Sequence, residues 1–138
     1  MRYITMEDVK SVIQEPMIQS SIEKDSSILD RLEQGSIDEV SSYIGGRYDC
    51  SKLFGEPTIQ NGMIQRIITC MVVYRAVRRN AARKVPEDYS ELYAWAYDVL
   101  ARIRDGEMPL TDVPEIVDPE TGKVPGIWIN NRREEYFF

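Results

Sequence analysis

Residues Asn61–Lys84 read NGMIQRIITCMVVYRAVRRNAARK and hold the longest run of the chain without proline or glycine, from Met63 to Val85. In a helix, Ile64, Ile67, Ile68, Met71, Val72 and Tyr74 cover more than half of the circumference. That pattern marks a helix surrounded by other helices, not one lying on a surface. The second half changes character, with Arg75, Arg78, Arg79 and Arg83 alternating with Ala76, Val77, Ala81 and Ala82. Thr58 or Asn61 is placed to cap the start, and Pro86 stops the end. The stretch therefore predicts the central helix of a small all-α bundle.

The rest of the composition is consistent with that frame. A chain of 138 residues fits one domain with a real core. Apolar residues make up 43% of it, in the globular range. No apolar run approaches the roughly 18–20 residues that span a bilayer, and MRYITMEDVK lacks a secretory signal's apolar stretch. The expectation is a protein made and kept in a cytoplasm, with no membrane partner and with Cys50 and Cys70 reduced. The net charge of −6 is uneven. Residues 1–61 carry 6 basic and 11 acidic side chains, residues 62–86 carry 6 basic and none acidic, and residues 87–138 carry 5 basic and 12 acidic. An acidic chain with one basic helix lacks the broad basic footprint of a DNA binder; it suits a protein that sets its basic helix against acidic copies of itself.

Outward from the centre, Thr5-Met6-Glu7-Asp8 forms a capping box, predicting a first helix from Met6 to about Gln14, ended by Pro16. Met17 to Ser27 reads as an irregular link with room for one helical turn. Asp25 or Ser26 then caps a short helix carrying Ile28, Leu29 and Leu32, which Gly35 is expected to stop. Ser36-Ile37-Asp38-Glu39 reads as a fresh start, with Val40, Tyr43 and Ile44 on its buried face and Arg47-Tyr48 closing it. A loop with Leu53 and Phe54 as anchors leads to the central helix. Beyond Pro86, Glu87, Asp88 and Glu91 open a helix whose stripe is Leu92, Trp95, Ala96, Val99 and Ile103, ended by Gly106. Tyr89, Tyr93 and Tyr97 form a neighbouring stripe, read either as core or rim packing or as a subunit interface. From Glu107 the prolines multiply, dividing the chain into a helical unit, residues 1–108, and an extension, residues 109–138. The extension is expected to be irregular or to form a β-hairpin near Glu115 to Val124. Its Trp128, Ile129, Tyr136, Phe137 and Phe138 suit either a tail folded on its own core or an arm docking on a partner.

No catalytic, cofactor or metal site is expected. Histidine is absent, which removes the commonest general base and metal ligand. Two well-separated cysteines do not make a zinc motif. Neither a phosphate loop nor a dinucleotide fingerprint occurs. Carboxylate pairs such as Glu7-Asp8, Asp38-Glu39 and Glu87-Asp88 fall where helix starts explain them. The feature with functional reach is the arginine face, open to three readings: a solvated or salt-bridged surface, subunit-to-subunit ion pairing, or contact with nucleic-acid backbone.

Four motifs in order resemble a known family. Tyr3-Ile4-Thr5-Met6-Glu7-Asp8-Val9 opens the chain. An acid-rich helix follows, from Asp38-Glu39 through Tyr43 to Arg47-Tyr48. Tyr74-Arg75 falls in the middle of the long helix. A tyrosine-rich helix closes on Ile103-Arg104-Asp105-Gly106-Glu107-Met108-Pro109-Leu110. Over residues 3–110 this is similar to the small head–tail connector (adaptor, or head-completion) proteins of tailed bacteriophages, including the Mu-like group. Asp49-Cys50-Ser51-Lys52 stands where the family has a proline-rich loop, and residues 111–138 have no family counterpart. The resemblance implies a helical bundle without enzymatic activity, located in the virion neck and assembled in the host cytoplasm. It implies a homo-oligomeric ring of about twelve copies beneath the portal protein. The ring would meet a tail-side stopper or terminator and pass double-stranded DNA without sequence-specific binding. On that reading Arg75, Arg79 and Arg83 are expected to meet an acidic face of a neighbouring copy, within residues 87–105. The alternative is a small DNA-binding regulatory protein using the same arginine face.

Overall fold

The structure is a computed structural model that describes residues 1–79 and 85–116. Among them are six helices and no strand: α1 (Met6–Lys10), α2 (Glu15–Ser21), α3 (Ser26–Ile44), α4 (Cys50–Leu53), α5 (Gly62–Arg78) and α6 (Glu87–Arg104). The all-α expectation holds. Helix α5 is the centre, with α3 and α6 as its main neighbours and α1 and α2 packing on it as well. Seven consecutive residues, Ile67, Ile68, Thr69, Cys70, Met71, Val72 and Val73, are all buried. A run that long covers nearly two turns, so that part of α5 has no solvent side. Asn61, not Thr58, caps the helix, its side chain accepting the Ile64 N–H at 3.1 Å. Thr69, the polar residue in the run, is satisfied by donating to the Gln65 carbonyl at 2.7 Å.

Helix α1 begins as expected, with the Thr5–Asp8 capping box formed in both directions. It ends earlier, at Lys10: the Val12 and Ile13 N–H groups both turn back to the Val9 carbonyl at 3.1 Å. Pro16 does not merely end a helix; it opens α2 from the first turn, where a missing N–H costs nothing. The expected irregular link is thus largely helical. Helix α2 closes with Lys24 N–H on the Gln19 carbonyl (3.0 Å) and Glu23 N–H on Ser20 (3.3 Å). This is a Schellman arrangement, made without glycine by Glu23 and Lys24 at φ 55° and 61°.

The main correction concerns α3. Gly35 was expected to stop a helix and Ser36 to start another, yet one helix runs unbroken from Ser26 to Ile44. The Ser36 hydroxyl donates back to the Leu32 carbonyl at 2.8 Å instead of capping. A Cβ at Gly35 would lie 3.8 Å from Arg75 Nη1, so the guanidinium rests against this point of α3. The start is capped by Asp25, which accepts the Ser27 N–H at 3.0 Å and its hydroxyl at 2.7 Å. These hydrogen bonds hold the Asp25 carboxyl below its ordinary pKa.

Glu33 lies in the middle of α3 and is buried. Its carboxylate accepts the backbone N–H groups of Arg2 (2.7 Å), Tyr3 (3.1 Å) and Ile4 (2.9 Å). Three converging donors are what a buried carboxylate requires. The segment so held reaches onward. The Tyr3 hydroxyl donates to the Ile59 carbonyl at 2.8 Å and accepts the Asn61 N–H at 3.1 Å, and the Tyr3 ring meets Phe54 edge-on at 5.0 Å. Burial pushes the Tyr3 phenol pKa up, against the Asn61 hydrogen bond that lowers it.

Helix α6 matches its expected span and ends in a Schellman turn at Gly106 (φ 83°), where Glu107 N–H reaches the Arg102 carbonyl at 2.9 Å. The packed core continues past residue 109, because Leu110 and Val113 are buried. Leu110 N–H donates to the Tyr48 hydroxyl at 2.8 Å, and Asp49 and Ile116 N–H groups pair with Pro114 and Arg47 carbonyls at 2.8 and 2.9 Å. Tyr48 and Glu115 form an isolated antiparallel bridge. The remainder of the expected hairpin lies outside the described residues. Cys50 and Cys70 are free thiols, and burial raises the pKa of both. No described helix is long and apolar enough to cross a membrane.

Replacing Glu33 should test the clamp. Glu33→Ala strips two buried amides and one half-buried amide of their acceptor and is expected to cost about 3 kcal/mol. Glu33→Gln keeps one acceptor oxygen but turns an amide donor toward another donor, so it should lie between wild type and Ala. Urea unfolding measures both; a loss below about 1 kcal/mol for the alanine variant would remove the clamp from the account.

Candidate interaction surface

The arginine and tyrosine residues singled out in the sequence divide into three groups. The first is a strip where α3, α5 and α6 meet. Four half-buried tyrosine rings follow one another along it. Tyr74 stacks on Tyr93 with centroids 3.9 Å apart, Tyr93 meets Tyr97 edge-on at 4.9 Å, and Tyr97 meets Tyr43 at 5.7 Å. Their presence together follows from helix geometry. Tyr93 and Tyr97 are one turn apart on α6, and α5 and α3 supply Tyr74 and Tyr43. Cations flank the rings: Arg75 over Tyr93 at 6.0 Å, Arg104 over Tyr43 at 5.6 Å, and Arg78 donating to the Tyr74 hydroxyl at 3.0 Å.

Arg75 is bound within its own chain. It forms an ion pair with Glu39 of α3 and also donates to the Tyr97 hydroxyl at 3.0 Å. Tyr97 in turn donates to the second Glu39 oxygen and accepts from Tyr93 at 3.2 Å. Three helices are thereby cross-linked by one carboxylate, one guanidinium and two phenols. Burial is the largest influence on Arg75 and lowers its pKa, but the hydrogen bonds it donates to Tyr93 and Glu39 and the Glu39 charge more than offset it. The Tyr97 phenol is pushed far above the ordinary tyrosine value, first by burial and then by its bond to Glu39. Of the three readings of the arginine face, Arg75 takes the salt-bridged one, with a partner in the same chain.

Arg78 and Arg79, at the end of α5, are exposed. Arg79 reaches the Ser21 carbonyl at 3.4 Å. Tyr89 separates from the other two tyrosines of its stripe and places its hydroxyl 3.9 Å from Met17 Sδ of α2. Arg83, Ile129 and the aromatic residues Trp128, Tyr136, Phe137 and Phe138 lie outside the described residues. Sequence reasoning missed Tyr43, Glu39 and Arg104 as members of the strip. The available signal was that Glu39 and Tyr43 are one turn apart, on a helix whose apolar face borders the same positions.

A separate concavity of about 230 Å³ lies between α1 and α5, lined by Asp8, Ser11, Val12, Gly62, Gln65, Arg66 and Thr69. Arg66 lies over the Trp95 ring at 5.4 Å beside it. Among the described residues no group of three or more Cys, Asp or Glu side chains could hold a metal ion. The chain matches no known family model and no curated protein.

The Tyr97 network predicts an alkaline limit. Its folded pKa is raised, so its stabilisation is complete below the unfolded value of about 10 and is lost as pH rises above it. Stability should fall between pH 10 and alkaline unfolding, and Tyr97→Phe should flatten that fall while lowering stability near neutrality by about 1 kcal/mol. Thermal melts across the range, with phenolate absorbance followed in parallel, check both. A Tyr97 that ionises at the ordinary phenol value of about 10 would contradict the network.

Proposed function

We propose that the chain is a structural virion protein, a head–tail connector. It forms a ring of about twelve copies beneath the portal, extends the DNA channel and docks the tail. The observation that carries this reading is the fate of the four motifs on which the family resemblance rests. Each falls at a joint of the bundle. Tyr3 and Ile4 are held by Glu33, and Tyr3 bonds Asn61 at the start of α5. Thr5 and Asp8 cap α1. Tyr48 of the second motif receives the Leu110 N–H of the fourth. Tyr74 and Arg75 of the third pack on Tyr93 of α6. Residues that are far apart in sequence and define the resemblance are therefore the ones that specify this bundle, which supports a shared scaffold. In this reading the protein acts by shape and contact, and the extension beyond residue 116, with Trp128, Ile129 and the Tyr136-Phe137-Phe138 end, is the segment offered to the portal or a neighbouring copy. The regulatory DNA-binding alternative draws on the arginine face, and the engagement of Arg75 with Glu39 leaves that face fewer guanidinium groups for phosphates.

The test is the protein content of DNA-filled particles. Quantitative mass spectrometry should find the chain in them at roughly the stoichiometry of one ring, and negative-stain images should place it at the neck. Filled particles that lack the chain, and that still accept tails, would refute the proposal. Duplex binding by the purified chain with a steep salt dependence would favour the regulatory alternative.

A further inference from the structure

We infer that copies of this chain join head to tail, the tyrosine–arginine strip of one copy seating the outer acidic stripe of α6 of the next. The inference rests on the connector reading and names the two surfaces that it leaves open. On the strip, Arg78 is exposed and lies beside the stacked pair Tyr74–Tyr93. Among the described residues it makes no ion pair. Tyrosine and arginine together are the residue types that most often carry the energy of a protein contact. The rings here are stiffened by one another, so little freedom is lost when a partner covers them.

The complementary surface is on the solvent side of α6. Glu87, Glu91 and Asp98 are all exposed and at helical spacing fall within about 40° of one another around the axis. Glu87 and Glu91 are one turn apart, a like-charge pair that a cation relieves. Asp98 has its own partner, Arg102, at 3.1 Å. Neither Glu87 nor Glu91 forms an ion pair among the described residues. Tyr93 and Tyr97 lie roughly 100–140° from this stripe around the same helix. The two patches therefore face different directions. A contact that joins them uses a different patch on each partner, so it is heterologous and repeats from copy to copy. The chain's uneven charge supplies the attraction: residues 62–86 hold only basic charge and residues 87–138 are mainly acidic.

Sedimentation of the full-length chain, run over a concentration series, tests this. Wild type is expected to self-associate, less so at high salt. Arg78→Glu and Glu91→Arg should each fold normally by circular dichroism and each weaken self-association by at least about tenfold. Mixing the two single variants should restore association, because each supplies the patch that the other lacks. The double variant Arg78→Glu/Glu91→Arg should also restore it. Single variants that associate like wild type would overturn the inference. So would a wild type that stays monomeric up to its solubility limit. Neither result changes whether the chain is present in filled particles, so the connector reading is judged separately.

Discussion

A single buried carboxylate organises the entry of the chain into its fold. Glu33 sits on α3 where an apolar residue is expected, and the three amides that approach it fix residues 2–4 against the bundle. Without that acceptor the N-terminal segment has no reason to lie across α3, since its own backbone donors would be buried unpaired. With it, Tyr3 is carried to the α4–α5 loop and bonds both Ile59 and Asn61. The cap of the central helix is thereby tied to the first residues of the chain. A buried charge is weak evidence of stability by itself. Here its three donors make it a device for register, setting which part of the N-terminus meets which turn of α3.

The second polar centre does comparable work toward the other end of α5. Glu39, Arg75 and Tyr97 come from three helices and hold α3, α5 and α6 together. Gly35 is the small residue against which the Arg75 guanidinium lies. A glycine inside a helix costs about 1 kcal/mol relative to alanine, yet α3 continues through it without a break. The two centres act on opposite ends of one problem. Helix α5 offers apolar side chains in every direction, so packing alone specifies poorly how its neighbours are rotated about it. Directional hydrogen bonds supply that specification.

Much of the helical framework was legible because it is written in local chemistry. The start of α5, the span of α6, the Thr5 and Asp25 caps and the stop at Gly106 follow from periodicity, capping residues and breakers within a few positions of each other; α5 itself closes at Arg78, short of the expected stop at Pro86. The failures have a common cause. Gly35-Ser36 carries a genuine stop-and-start signal, yet α3 runs through it, packed on α5 and α6, which lie far away in sequence. The end of α2 uses Glu23 and Lys24 at positive φ, and no glycine announces it. Arg75 was read as free to meet a neighbour because Glu39, its partner in the same chain, lies 36 positions away. Glu33 was the most readable of the missed residues. It shares one helix face with Leu29 and Ile37, and an acid in that register signals a buried acceptor awaiting donors.

The burial of α5 on all sides between Ile67 and Val73 also sets an order of events for a chain being made. Helices α1 to α3 emerge before α5 and can cover only part of it. The remaining cover comes from α6, which emerges later. Until then the nascent chain presents Ile67, Ile68, Met71 and Val72 in a helix lacking part of its shell. Such a surface favours premature association with other apolar surfaces. The fold thus closes late, and truncations that end soon after α5 are expected to be lost to aggregation, not to persist as smaller stable bundles.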